Sequence, residues 1–410
     1  MHRIDHPTAV ATEPSVDVVG TPGYFQRRNV LTATPGTRVT RDWLNAVQEE
    51  LMNALEEQGI VTAKGDNFGL SRALSRLGSS NRNVLINPEM SMASGLGVGT
   101  LTTTTEDTGF GGPGHWWAKK GSGDSASFAP GSNSTDATRI SDITGLGIFH
   151  KTVDGASGTP PTIRQSVENV VTLQGSKVVL AFDMRNAGGA DPSVSGITAE
   201  IVQDFGSGGS ADVTTALTSI GATVVDSATW RRFIFTGTLP SIAGKTIGAA
   251  GSHLKVRIYF PSGQLFNCYM SAWVLARGSQ DPGYTPRPLA QERHLLQRYW
   301  ETSTFDKTFA NFTGAYDVGV WDTAYAGAGT VETLGRKFAT QKYASPTVTW
   351  LSAQDGSTQA KVTEAPSTDH TVTSSDPNPS HTGFPTISSP PAAGIRTFRA
   401  FWAALAEIPD

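Results

Sequence analysis

The chain has a single cysteine, Cys268, among its 410 residues. No intrachain disulfide can form, and a thiolate zinc site within one chain is excluded. Such a chain suits synthesis in a reducing cytoplasm, and Cys268, set in the apolar run 265–270, reads as a small buried strand residue. Charge is also scarce, since Asp, Glu, Lys and Arg make up 17% of the residues, below the usual share of about a quarter. The net charge of -4 gives no basic field to draw in phosphate backbones or anionic lipid. Nucleic-acid binding is not expected. Apolar runs of about eighteen residues are missing, and residues 1–7 have no apolar segment of the signal-peptide kind. Neither membrane insertion nor signal-peptide secretion is expected.

Catalytic patterns are missing as well. The eight histidines are scattered. Only His2 and His6 fall at the spacing of paired ligands. The chain has no His-Glu-x-x-His helix, no Gly-x-Ser-x-Gly elbow, no phosphate loop and no dinucleotide fingerprint. Neither a metal nor a cofactor is expected. Glycoside hydrolysis needs only two carboxylates, about 5 to 9.5 Å apart, which 36 acidic residues can supply. No repeat of about twenty to fifty residues is present, which counts against the long β-helix of spike depolymerases. A non-enzymatic protein is the expectation.

Glycine and proline are plentiful, at 44 and 23 residues, and favour many turns between short strands. The length allows two or three cores. Residues 1–80 read as an extended arm followed by a helix. Pro7, Pro14, Pro22 and Pro35 keep the arm out of regular structure. The helix spans residues 40–58, with Thr40 as N-cap, Gly59 at its end, and a narrow stripe of Leu44, Val47, Leu51 and Leu55 suited to bundling with other copies, the alternative being a helix packed on its own domain. A possible short helix follows at 70–77.

Residues 81–280 read as an antiparallel jelly-roll sandwich, with strands at 178–185, 198–202, 229–235, 254–260 and 267–275. Val256, Ile258 and Phe260 alternate with Lys255, Arg257 and Tyr259, as a sheet with one packed and one wet face requires. The Gly- and Ser-rich stretches 121–134 and 205–210 read as surface loops. Residues 281–410 read as a linker helix at 289–300 and a C-terminal β domain. Its strands fall near 314–321, 346–351 and 396–405, and a long exposed loop covers 366–391. The fold class is thus mainly β.

Aromatic residues are the candidate binding groups, because sugar rings lay apolar C–H faces on flat indoles. His115, Trp116 and Trp117 stand in a Gly-rich stretch, where adjacent strand positions would send one indole inward and one outward. The alternative is that both are buried. Trp230, Trp273, Trp350 and Trp402 lie in apolar strands and read as core.

Pro35-Gly36-Thr37, followed by Val39 to Glu50, resembles the N-terminal attachment region of bacteriophage tail-fibre and related virion fibre proteins. Asn83-Val84-Leu85-Ile86-Asn87-Pro88 resembles the start of a carbohydrate-binding-module-like jelly roll found in such proteins. Residues 289–300, containing Gln297-Arg298-Tyr299-Trp300, resemble the helix that follows it. The resemblance implies a virion protein of head or tail, usually a homotrimer. It would attach to other virion proteins through residues 1–60 and meet host-surface glycan through its β domains. A spacer carrying another adhesin, or a depolymerase tailspike, are the alternatives.

Overall fold

The computed structural model describes residues 3–4, 7–10, 12–15, 23–56, 63–77, 83–92, 99–101, 115–132, 145–155, 158–187, 193–226, 229–302, 320–327, 330–331, 336–344, 346–351, 361–364, 368–374, 381–382, 386–387 and 394–406. The chain divides into two compact units, Met1–Asn81 and Arg82–Asp410.

The first unit is built on two helices, α1 (Arg41–Glu56) and α2 (Gly69–Leu77). Thr40 caps α1 as expected, its Oγ1 accepting the Trp43 N–H at 3.3 Å. Gly59 lies outside the described residues. Leu55 is fully buried, packed against Ala73 of α2 rather than left for a neighbouring copy, and Leu51 is half-buried. Leu44 and Val47 are 54% and 38% exposed. The stripe is therefore covered by its own chain at one end and open at the other. The arm lies on α1, where Arg3 pairs with Glu49 at 2.8 Å, the Ile4 N–H donates to Gln48, and Phe25 meets Trp43 edge-on at 5.4 Å.

The second unit is mainly β, and its larger part is the expected antiparallel sandwich. Thirteen strands contribute: β1 (Gly99–Leu101), β2 (Trp117–Lys119), β3 (Ser125–Ser132), β4 (Gly145–Val153), β5 (Thr162–Glu168), β6 (Lys177–Asn186), β7 (Ser193–Ser195), β8 (Thr198–Asp204), β9 (Val213–Ser219), β10 (Val224–Asp226), β11 (Arg231–Thr238), β12 (His253–Tyr259) and β13 (Phe266–Arg277). Eleven of them form one ribbon in the order β1-β3-β4-β13-β6-β11-β9-β8-β12-β5-β2, while β7 pairs with β10. Strand β9 pairs with β11 on one side and β8 on the other, so the ribbon turns over on itself there. The two layers meet through aromatics: Phe149 of β4 lies 5.1 Å from Phe260, and Trp273 of β13, itself 4.1 Å from Phe182 of the adjacent β6, lies 4.7 Å from Trp116.

The Gly- and Ser-rich stretch expected as a loop at 121–134 holds β3, which pairs with β4 over its length. Strand pairing uses backbone groups, so small side chains do not forbid it at a ribbon's edge. The stretch 205–210 is a loop. The helix expected to reach residue 300 stops earlier: α3 is Leu289–Gln297, and Trp300–Thr302 is a strand paired with Gly394–Leu405. That last strand also pairs with Val320–Gly327, Thr347–Leu351 and Lys361–Glu364. Strands Thr368–Ser374, His381–Thr382 and Thr386–Ile387 occupy part of the region expected as one long loop. Residues 314–319 lie outside the described residues.

Entry to and exit from the sandwich are clasped together. Strand β13 shifts register between Ser271 and Val274, with Ala272 at φ +57°, and so frees Trp273 to serve the incoming chain. The Trp273 N–H donates to Pro88 O at 3.0 Å, and Trp273 O accepts from Asn83 Nδ2 at 2.8 Å. From the other side Arg287 donates to the carbonyls of Asn83 and Leu85, and Glu292 accepts the Asn87 N–H at 2.5 Å. Arg287 and Glu292 pair at 2.7 Å with side chains 5% and 8% exposed. Removing one partner of a buried pair leaves the other charge uncompensated. Glu292→Ala should therefore cost about 3–5 kcal/mol in urea unfolding followed by tryptophan fluorescence, and a loss below about 1 kcal/mol would contradict the clasp.

Candidate functional site

On strands β2, β5, β12 and β8 the inward positions are apolar apart from the buried Gln165 and Gln203, and the outward positions carry most of the charge. Antiparallel register places Trp117, Arg164, Arg257 and Glu200 side by side across the four strands. The Arg164 guanidinium lies 4.1 Å over the Trp117 ring, a cation–π stack. Arg257 pairs with Glu200 at 3.5 Å, and the Tyr259 hydroxyl donates to the same carboxylate at 2.7 Å. Burial, then Glu200, pushes the Tyr259 phenol above its ordinary range.

Four residues along the strands, register sets Glu168, His253 and Asp204 in another row. This end of the face is roofed. Arg298 forks onto Glu168, with Nη2 at 2.9 Å from Oε2, and the Tyr299 hydroxyl donates to Oε1 at 2.5 Å. His115 stacks on Tyr299 at 3.9 Å and its Nε2 donates to Ser166 O. The Tyr343 N–H donates to Arg298 O at 3.0 Å, which sets Tyr343 beside the roof. Burial alone would raise the Glu168 carboxyl, but the hydrogen bonds from Arg298 and Tyr299 outweigh it and hold the group below its usual range. Asp204 is held low in the same way, burial being overcome by the Gly206 N–H and by Lys255, 3.1 Å away. His253 is pushed down, chiefly by burial.

Between the row and the roof is a cavity of about 590 Å³, walled by Asp204, Gly206, Ser207, Gly251, His253 and Tyr343. Its rim is two interlocked turns: Ser207 N–H donates to Ala250 O at 3.0 Å, and Gly248 N–H to Phe205 O at 2.7 Å. Gly206 takes φ +77°, and a Cβ there would stand 2.3 Å from Ala250 O. Only glycine lets the turns close this tightly. The cavity has the size of a small-molecule site and the mixed lining of one, with a carboxylate, an imidazole and a hydroxyl facing an aromatic ring. Among the described residues no group of three or more His, Cys, Asp or Glu could hold a metal.

No family model matches the sequence, and no curated protein does. Among solved structures the chain is similar to the enzymatically active domain of tailspike protein 4 of bacteriophage CBA120, at 10% identity over 49% of this chain and 22% of that one, with a TM-score of 0.29. It is similar to the C-terminal family 22 carbohydrate-binding module of Clostridium thermocellum Xyn10B at 15% identity over 43% of this chain and 94% of that one, with a TM-score of 0.28. A family 11 carbohydrate-binding module from the same organism gives 12% identity over 45% of this chain and 98% of that one, with a TM-score of 0.25. Likenesses this low carry no weight here, where the fold and the site rest on the strands and side chains just described.

The alternation expected of the tryptophan pair is present, for Trp116 enters the core and Trp117 lies on the outer face. The expected exposure is not. Trp116 is 3% and Trp117 7% exposed, the second because Arg164 covers its ring, and His115 is buried under Tyr299. Lys255 is buried too, so of the three side chains expected to be wet only Arg257 and Tyr259 reach solvent in part. The residues that sequence reasoning missed are Asp204, His253 and Tyr343. Strand alternation puts the first two on one face, but nothing local links them to Tyr343. Trp273 is fully buried as expected, Trp230 is half-buried, and the side chains of Trp350 and Trp402 lie outside the described residues. Both Trp116→Ala and Trp117→Ala should destabilise the protein, by about 3–5 kcal/mol for Trp116 and at least about 2 kcal/mol for Trp117. Calorimetric melting checks this, and an unchanged melting temperature for Trp117→Ala would show that its indole is not packed.

Proposed function

We propose that this chain is a fibre or spike protein of a tailed-bacteriophage virion, made in the bacterial cytoplasm, that holds host-surface glycan without cleaving it. The observation that carries the glycan reading is the roofed end of the outer sheet face. There Glu168, His253 and Asp204 stand in a row beside a cavity of about 590 Å³ with Tyr343 in its wall. Hydroxyl-rich ligands with apolar ring faces need such a mixture of fixed polar groups and aromatic surface.

A glycosidase needs one carboxylic acid kept protonated to release the leaving group. Glu168 and Asp204 are both held as carboxylates at neutral pH, which supports binding over hydrolysis. The resemblance of residues 35–50 to fibre attachment regions supports the virion role. Tyr24, Leu31, Trp43, Leu44 and Val47 of the first unit are exposed apolar side chains, as expected of a part that is covered on assembly with two further copies and with other virion proteins. A fibre of several copies gains avidity from weak single contacts.

The full chain, applied to an array of bacterial surface polysaccharides and lipopolysaccharides, should retain at least one glycan and release no new reducing ends. Tyr343→Ala should weaken that retention. No retained glycan would sink the binding reading, and reducing-end release would replace it with a depolymerase. Light scattering at micromolar concentration should give a trimer, and a monomer would remove the oligomer from the proposal.

A further inference from the structure

The cavity beside Asp204 and His253 has a chemical polarity that its lining dictates. Nδ1 of His253 lies 2.5 Å from the carbonyl oxygen of Gly251. A carbonyl only accepts, so Nδ1 carries the hydrogen and donates. In the neutral ring Nε2 is then a lone-pair acceptor. That atom is buried and has no hydrogen-bond partner, in a residue only 1% exposed. Across 3.9 Å from it stands Oδ2 of Asp204, another acceptor. Two acceptors cannot satisfy each other, and a buried acceptor left without a donor costs free energy.

Asp204 Oδ2 already has Lys255 Nζ at 3.1 Å, so the unmet demand is the donor that His253 Nε2 lacks, and the surroundings choose among the groups that could supply it. A divalent cation would need more ligating groups than the described residues assemble here. An ammonium would sit beside Lys255, whose Nζ is already 3.1 Å from Asp204 Oδ2, and would be repelled. A carboxylate or sulfate group would bring only acceptors to His253 Nε2, which needs a donor. Neutral hydroxyls remain: two on adjacent carbons can each turn one hydrogen to one acceptor, while the C–H face of their ring rests on Tyr343.

We propose that this cavity is a subsite for a neutral sugar residue, recognised through a vicinal diol that donates to His253 Nε2 and Asp204 Oδ2. The assignment rests on the glycan reading above and narrows it, since acidic sugars are turned away at this position. The interlocked turns at 205–210 and 246–251 hold Gly251, and so the imidazole tautomer, in place before any ligand arrives.

The test uses the full chain labelled with ¹⁵N at histidine, titrated with methyl α-D-mannopyranoside, methyl α-D-glucopyranoside and methyl β-D-glucuronide. At least one of the neutral glycosides should move the Nε2 resonance of His253 saturably, and the glucuronide should bind more weakly than that glycoside. His253→Ala and Asp204→Asn should each weaken the neutral glycoside about tenfold, the loss expected for one hydrogen bond from a hydroxyl. Circular dichroism identifies a variant that does not fold, and the wild-type Nε2 shift still decides the matter in that case. If the retained array glycans bind the wild type and both folded variants equally, or the glucuronide binds as well as the neutral glycosides, the subsite is wrong and glycan binding stands. If no glycan of any kind binds the wild type, the glycan reading is wrong and the subsite falls with it.

Discussion

An irregular segment buried beside two sheets must find partners for backbone groups that no strand ladder will serve, and residues 83–90 pose that problem here. The solution draws on four parts of the second unit. Strand β13 gives up its register at Ser271 to Val274 so that Trp273 and Leu275 meet Asn83, Val84 and Pro88. Gln165 of β5 replaces a missing strand, its amide accepting the Ile86 N–H at 2.8 Å and donating to Ile86 O at 2.7 Å. Trp116 donates its indole N–H to Asn87 O, and the Arg287–Glu292 pair closes the other side. The position of β2, and with it the row from Trp117 to Glu200, follows from where Trp116 is held.

Consequently the two faces of the outer sheet do different work. The inward side is ordinary packing, in which Ile163, Val256, Ile258 and Ile201 are buried with the aromatic core. Outward, two half-buried carboxylates are held by fixed donors, Glu168 by Arg298 and Tyr299, and Asp204 by Lys255 and a backbone N–H. Fixing carboxylates in this way lowers the ordering cost that a ligand must meet. The Tyr259 end keeps access to solvent.

Much of this was legible from local pattern. Thr40 and the stripe of α1, the alternation of Val256, Ile258 and Phe260, and the burial of Cys268 and Trp273 all follow from chain periodicity and residue type. What failed were inferences from composition. Residues 125–132 and 368–374 looked like loops because they are rich in Ser, Thr, Gly or Pro, yet a ladder asks only for backbone donors and acceptors. The site was half legible. Alternation puts Lys255 and Arg257 on one face, but Arg298 reaches Glu168 from 130 residues away, and no short-range signal marks such a cover. Alternation called for one outward indole, and that indole, Trp117, lies beneath Arg164.

The clasp also fixes how the second unit would answer to force. The chain enters the sandwich at Asn83 and leaves it before Arg287, and these two points are tied directly to each other. Tension between the flanks would be met first by the bonds of Arg287 and Glu292 to Asn83, Leu85 and Asn87, which share the load in parallel. The same entering segment is also bonded to β13 through Trp273 and Leu275 and to β5 through Gln165, so the ribbon takes the remaining share. The clasp thereby acts as a shock absorber between the two flanks, taking strain that the strands would otherwise bear alone.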